Sequence, residues 1–463
     1  MNEVRKWTMD ILQEFYILIF NRIFKYTSRI NEKIRDGIAL ACIIWLVASV
    51  FILPILTVRG VDLHTKDLTV MGNYALIVLC IFSIKEPLKK IHWNAKVTVP
   101  YLLTATYMVL MSIDHYTGEC YGAYAVSMLL IFPALYFVWG NRRDYSIYYR
   151  WLSVSIGSIG CIILIAHFIF APVSPETLLY GQYVGLSINP NRLGMVTIVI
   201  NAAALYLLSF NNKLRWIWAV VSGICIGITY LTASRTAIIV IILQLLAWIL
   251  VQCRFDFSCQ RFKTILVIFI SLVIIIGSCW SSQKVLKSGI TSVSNLGVMT
   301  VHDKNAQEED NPAERFEVKG KSANEFSAGR IGIWNWYLER MHIRGNDCTN
   351  HKVVMYSGKV VHNAHNTILE IGFRYGIPSA VGYLITLVIL MIVFFKAGVV
   401  APGRRYVFLA IFIAIAYYVE AMFDVMTLPY ERGLVLLFYL TLLGVFDGDI
   451  FKKEHNTYEP IIK

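Results

Sequence analysis

Long apolar blocks alternate with short polar gaps along almost the whole chain. Crossing the hydrocarbon core of a bilayer takes about 20 predominantly apolar residues in a helix. Apolar blocks on that scale occupy residues 37–56, 70–83, 97–113, 121–139, 152–171, 193–210, 214–231, 236–253, 264–280, 377–395, 406–422 and 433–446. The pattern predicts an all-α polytopic membrane protein with about twelve transmembrane helices. Residues 1–36 break it: "ILQEFYILIFNRIFKY" mixes apolar and basic positions, which predicts an amphipathic helix in the membrane interface. Residues 281–375 break it again, as a long polar loop with an acidic run at Glu308, Glu309 and Asp310. Inside that loop, "AGRIGIWNWYLERM" sets Ile331, Trp334, Tyr337 and Met341 at helical spacing, so a second amphipathic helix is expected there.

Composition agrees with the pattern. The chain is 57% hydrophobic and 16% charged, against about 25% charged in soluble domains. The net charge of +12 does not point to nucleic acid, because the Lys and Arg sit in short gaps between apolar blocks. There they set topology and meet anionic lipid. One alternate set of gaps is basic: Arg5, Lys6, Arg22, Lys25, Arg29, Lys33 and Arg35; Lys85, Lys89, Lys90 and Lys96; Arg142, Arg143 and Arg150; Lys213 and Arg215; Arg254, Arg261 and Lys263; Lys396, Arg404 and Arg405; Lys452 and Lys453. The opposite short gaps hold only Arg59, Lys66, Arg192, Arg235 and Arg432. The positive-inside rule then puts both termini in the cytoplasm and residues 281–375 outside. The expected organisation is a cytoplasmic segment 1–36, too polar for a cleavable signal, followed by one transmembrane domain, 37–463.

The nine cysteines contain no CxxC and no Cys/His cluster, so no metal site is expected. Cys120 and Cys348 both fall in external segments, which leaves a disulfide between them open. No nucleotide-binding or zinc-protease motif stands at a convincing position, and no cofactor is expected. A membrane bundle reveals its chemistry where it places charge at a cost. Arg192 in "NPNRLGM", Arg235 in "TASRTAI" and Arg330 in "AGRIGIW" all fall outside, against the positive-inside preference. Each alone is explained by snorkelling to a lipid phosphate; together they suit the oxygens of a diphosphate. "VHNAHNTILEIGFRYGIPSA" adds His362, His365 and Arg374; Arg374 is a candidate substrate contact, and His365 is the candidate general base, since imidazole titrates near neutrality. Glu420 and Asp424 are expected on one face of a helix at (i, i+4), where they would orient the base, bind sugar hydroxyls or pair with an Arg.

"NPNRLG", "SRTA", "GRIGIW" and "HNTILEIGFRYGIP", in this order and with the long loop between the second and the last, resemble the O-antigen ligase and polymerase family of bacterial surface polysaccharide assembly. The resemblance is densest over residues 183–399. It implies a metal-independent, GT-C-like membrane glycosyltransferase in the bacterial cytoplasmic membrane with an outward-facing site. The donor would be an undecaprenyl diphosphate-linked glycan, transferred with inversion to an acceptor hydroxyl. Whether a chain-length regulator binds is left open by the sequence. By the matching words, Arg192, Arg235 and Arg330 would hold the diphosphate, His365 would take the proton from the acceptor hydroxyl, and Asn366 would help position it. In the ligase form the last word carries Gly-x-x-Gly. Here Gly376 is followed by Ile377, Pro378 and Ser379, which turns the expectation toward a polymerase. A ligase acting on another acceptor is the alternative. A lipid-linked oligosaccharide flippase is the alternative from another class; it predicts polar residues deep in the bundle and no special need for His365.

Overall fold

The computed structural model describes residues 2–58, 65–85, 93–142, 145–179, 181–187, 189–210, 213–256, 261–288, 327, 329–349, 353–354, 360–400, 406–429 and 433–447. Its helices are α1 (Asn2–Thr27), α2 (Glu32–Val58), α3 (Thr65–Ser83), α4 (Ala95–Asp114), α5 (Glu119–Val126) and α6 (Phe132–Arg142), then α7 (Tyr145–Phe170) and α8 (Pro190–Phe210). There follow α9 (Arg215–Thr232), α10 (Arg235–Asp256), α11 (Arg261–Lys287), α12 (Arg330–Glu339), α13 (Thr367–Tyr375), α14 (Ile377–Val400), α15 (Val407–Phe423) and α16 (Gly433–Thr441). A π-turn over Ser127–Ile131 joins α5 to α6. Two short antiparallel ladders, Leu178–Leu179 with Gln182–Tyr183 and Val353–Val354 with Val360–Val361, are the strands among the described residues.

Among the described residues nine helices are long and apolar enough to cross a membrane, and residues 69–83, 407–423 and 433–446 form three shorter apolar ones. Every apolar block of the sequence lies in a helix, as expected for an all-α membrane protein. Two boundaries differ. Residues 1–36 are not one segment: α1 stops at Thr27, and Asn31, whose side chain accepts the Lys33 backbone N–H at 2.9 Å, starts α2. Helix α11 runs to Lys287, six residues past the expected loop start at Ser281, and carries Lys284 with it. Most of the acidic loop, including Glu308, Glu309 and Asp310, lies outside the described residues, as do Arg59, Arg404, Arg405 and Arg432.

Hydrogen bonds define the two ends of the bundle. At one end Arg35 donates from Nη1 to the Ile84 carbonyl (3.0 Å), Asn94 N–H to the Phe446 carbonyl (2.8 Å), and Gly444 N–H to the Tyr149 hydroxyl (3.2 Å). At the other, Val173 N–H donates to the Leu286 carbonyl (2.9 Å), Arg374 Nη1 to the Thr117 carbonyl (2.8 Å), and Asn366 Nδ2 to the Met422 carbonyl (3.1 Å). Tyrosines fill much of the core between them. The hydroxyls of Tyr136, Tyr148 and Tyr149 donate to the carbonyls of Tyr439, Leu440 and Thr441 at 2.8, 3.1 and 2.5 Å. These carbonyls lie in the last turn of α16, where intrahelical partners run out, and the tyrosine hydroxyls add donors there. Helix α8 is the central element, with 83% of its apolar stretch buried, against 17% for α11 at the rim. Gly223 and Gly227 let α9 approach α11 so closely that a Cβ on either would strike the α11 backbone or Ser282, the small-residue packing that bilayers favour.

Candidate functional site

The turn that opens α13 holds the candidate base. Asn366 caps the helix in extended conformation, and its side-chain oxygen accepts the N–H groups of Ile368 (3.0 Å) and Leu369 (3.1 Å). That cap leaves one residue to reverse the chain, and His365 does so at φ 47°. A non-glycine side chain in this left-handed region costs on the order of 1–3 kcal/mol and persists only where the surroundings impose it. Here they do: Asn363 Oδ1 accepts the His365 N–H at 3.1 Å. Thr367 Oγ1 donates to the Asp424 carbonyl at 3.0 Å and accepts the Met426 N–H at 2.8 Å. The turn is thereby pinned to the end of α15. His365 Nδ1 then lies 3.7 Å from Asp424 Oδ1, with 37% of the imidazole exposed and 14% of the carboxylate. The carboxylate lies beside Nδ1 but beyond hydrogen-bond distance.

Arg330 opens α12, and its guanidinium lies 5.8 Å from the centre of the Phe423 ring, one residue before Asp424. Trp334, one turn on, packs against the same ring at 6.5 Å, and its Nε1 is buried with no hydrogen-bond partner among the described residues. Arg192 and Arg235 occupy the first turns of α8 and α10. Those ends are in contact: a Cβ on Gly194 would lie 2.9 Å from the Ala237 Cβ and 3.3 Å from that of Ser234. Their level follows from α15. Gln244 on α10 donates from Nε2 to the Phe412 carbonyl at 3.0 Å. Nine residues of helix rise, about 14 Å, lead up to Arg235 on α10 and to Ala421 on α15. Arg235, and Arg192 beside it, thus lie at about the height of the α15 end that precedes Asp424.

Three expectations change, and the open question of a disulfide is answered. Asp424 does not share a helical face with Glu420, because α15 ends at Phe423 and Asp424 turns extended with φ −147°. Glu420 points into the bundle, 2% exposed, while Asp424 accepts the Val425 N–H and faces His365. Arg374 is not an open substrate contact. It is 8% exposed, donates to Glu370 Oε1 at 2.6 Å and to the Thr117 carbonyl, and sits 3.7 Å over the Tyr121 ring. Burial acts against its charge, but Tyr121 and Glu370 outweigh that and raise its pKa. Cys120 and Cys348 are free thiols, and burial pushes the Cys348 thiol up. On α12, Ile333 rather than Ile331 joins Tyr337 in the buried stripe. Sequence reasoning passed over Glu370 and Phe423. Glu370 had a signal, an acid four residues before Arg374 on one short helix; Phe423 had none.

Deeper in the bundle lies a second polar group. Asn201 Nδ2 donates to Gln244 Oε1 (2.8 Å), Ser222 Oγ to Asn201 Oδ1 (2.7 Å), and Gln244 Nε2 to the carbonyls of Ile198 (3.2 Å) and Phe412. The three side chains have no solvent exposure and no charge. They tie α8, α9, α10 and α15 together as an interhelical clasp of buried polar side chains. Among the described residues no group of three or more His, Cys, Asp and Glu could hold a metal ion. No family model matches the chain, and no curated protein matches it.

Proposed function

We propose that the chain is a polysaccharide polymerase that joins undecaprenyl diphosphate-linked repeat units at the outer face of the bacterial cytoplasmic membrane. The observation that carries this function is His365, held in a left-handed turn beside Asp424, with Arg330 against the adjoining Phe423. On this reading the three shorter apolar helices cross the membrane along with the nine long ones, giving twelve spans. The basic gaps then lie on the cytoplasmic side with both termini, and the His365 end faces outward.

The acceptor hydroxyl attacks the anomeric carbon of the donor glycan, and the carbon–oxygen bond to the lipid diphosphate breaks. His365 takes the hydroxyl proton at Nε2, oriented by Asp424 at Nδ1. The arginine guanidiniums meet the charge that grows on the departing diphosphate, and at the bilayer surface a low dielectric strengthens each contact. A single displacement of this kind inverts the anomeric centre. Lipid diphosphate is already a good leaving group, so alignment, cations and one base are what the protein must supply.

The test is reconstitution of the purified chain in liposomes with undecaprenyl diphosphate-linked repeats. Wild-type protein lengthens the glycan, and His365→Ala abolishes elongation while donor binding stays near normal. Transfer only to a different acceptor would make the protein a ligase. Movement of lipid-linked sugar across the bilayer, unaffected by His365→Ala, would make it a flippase.

A further inference from the structure

We infer that Glu370 is the positioning residue for His365, and that through Glu370 the α4–α5 turn sets the geometry of the site. Glu370 has no solvent exposure. Its Oε2 accepts the buried N–H of Ala364, the residue immediately before His365, at 2.8 Å. Its Oε1 accepts from Arg374 Nε at 2.6 Å and from the Tyr121 hydroxyl at 3.2 Å. The carboxylate therefore holds one side of the left-handed turn, and Asn363 and the Asn366 cap hold the other.

Arg374 carries the restraint into the first half of the chain. It donates to the Thr117 carbonyl and lies over Tyr121, while its own carbonyl meets His115 Nε2 at 2.9 Å. Tyr375 adds a hydrogen bond from its hydroxyl to the Tyr121 carbonyl at 2.6 Å. A carboxylate that pairs only with Arg374 would stabilise α13 and no more; one that also fixes the Ala364 N–H dictates where the next residue's imidazole goes. A buried ion pair is weak evidence for stability but well suited to fixing one arrangement. The assignment of His365 as base rests on the proposed function; the coupling of His365 to Glu370 does not.

Full-length protein in lipid nanodiscs, labelled with 15N-histidine, gives the test, with the His365 ring signals assigned by their loss in His365→Gln. Glu370→Gln keeps an acceptor for the Ala364 N–H and loses the ion pair. It should leave the His365 signals in place while lowering the thermal midpoint. Glu370→Ala should move those signals toward the positions they take in Asp424→Asn and lower kcat about 10²-fold with little change in donor KM, the effect of an approximately 1 Å misplacement. If Glu370→Ala does not fold, Glu370→Met with Arg374→Met removes the carboxylate without stranding a charge and is read the same way. Unmoved His365 signals in the variant lacking the carboxylate would overturn the inference. Signals that follow Glu370 in a protein with no elongation activity would leave the coupling standing and remove the polymerase function instead.

Discussion

The amides around Gln244 and the charged groups around His365 lie at two depths of the bundle, and α10 links them, with Gln244 about 14 Å along the helix from Arg235. They are built on opposite terms. Around Gln244 each side-chain donor and acceptor named is met by another helix, and none of the three side chains is charged or exposed. Around His365 the backbone is strained, the imidazole is more than a third exposed, and the cations stand at helix starts. The first arrangement can only hold helices together, because any movement would leave a polar group bare in an apolar interior. The second keeps charge where a ligand can share it. The contrast separates polar groups sealed inside the bundle from charged groups placed at its end.

The contrast can be broken by substitution. The largest change is expected for Asp424→Asn, which removes the carboxylate beside His365 Nδ1. Elongation should fall about 10²-fold with thermal stability unchanged, since only the orientation of the base is lost. Gln244→Ala should do the reverse. It strands Asn201 Nδ2 and two carbonyls, and thermal unfolding in detergent should show a loss of about 1–3 kcal/mol with elongation per folded molecule little altered. Arg235→Lys keeps the charge but loses the planar fork, so elongation should drop about tenfold. Equal activity in that variant would remove Arg235 from diphosphate binding.

The smallest effect concerns Cys348. Burial raises its pKa, so the neutral thiol persists above the pH, about 8.5, at which an ordinary cysteine is half ionised. Alkylation of Cys348 should be slow at pH 8 and quicken only at higher pH. A rate at pH 8 equal to that of an exposed thiol would show that the loop packing around Cys348, including its N–H bond to the Tyr116 carbonyl, opens readily.

The apolar blocks alone determined that this is a helical membrane protein, because a bilayer admits few other backbones and block length sets helix length. The word "HNTILEIGFRYGIP" placed a candidate base and a cap at a helix start, since capping chemistry is local. Packing decided the rest. That α15 stops at Phe423, so that Asp424 faces His365 and Glu420 does not, depends on the bonds that Thr367 makes to the far chain segment. That Arg374 serves Glu370, Tyr121 and Thr117 rather than a substrate depends on residues some 250 positions away in the chain. Periodicity reports which face of a helix is apolar; which partner a buried charge finds is a long-range fact that only the tertiary structure holds.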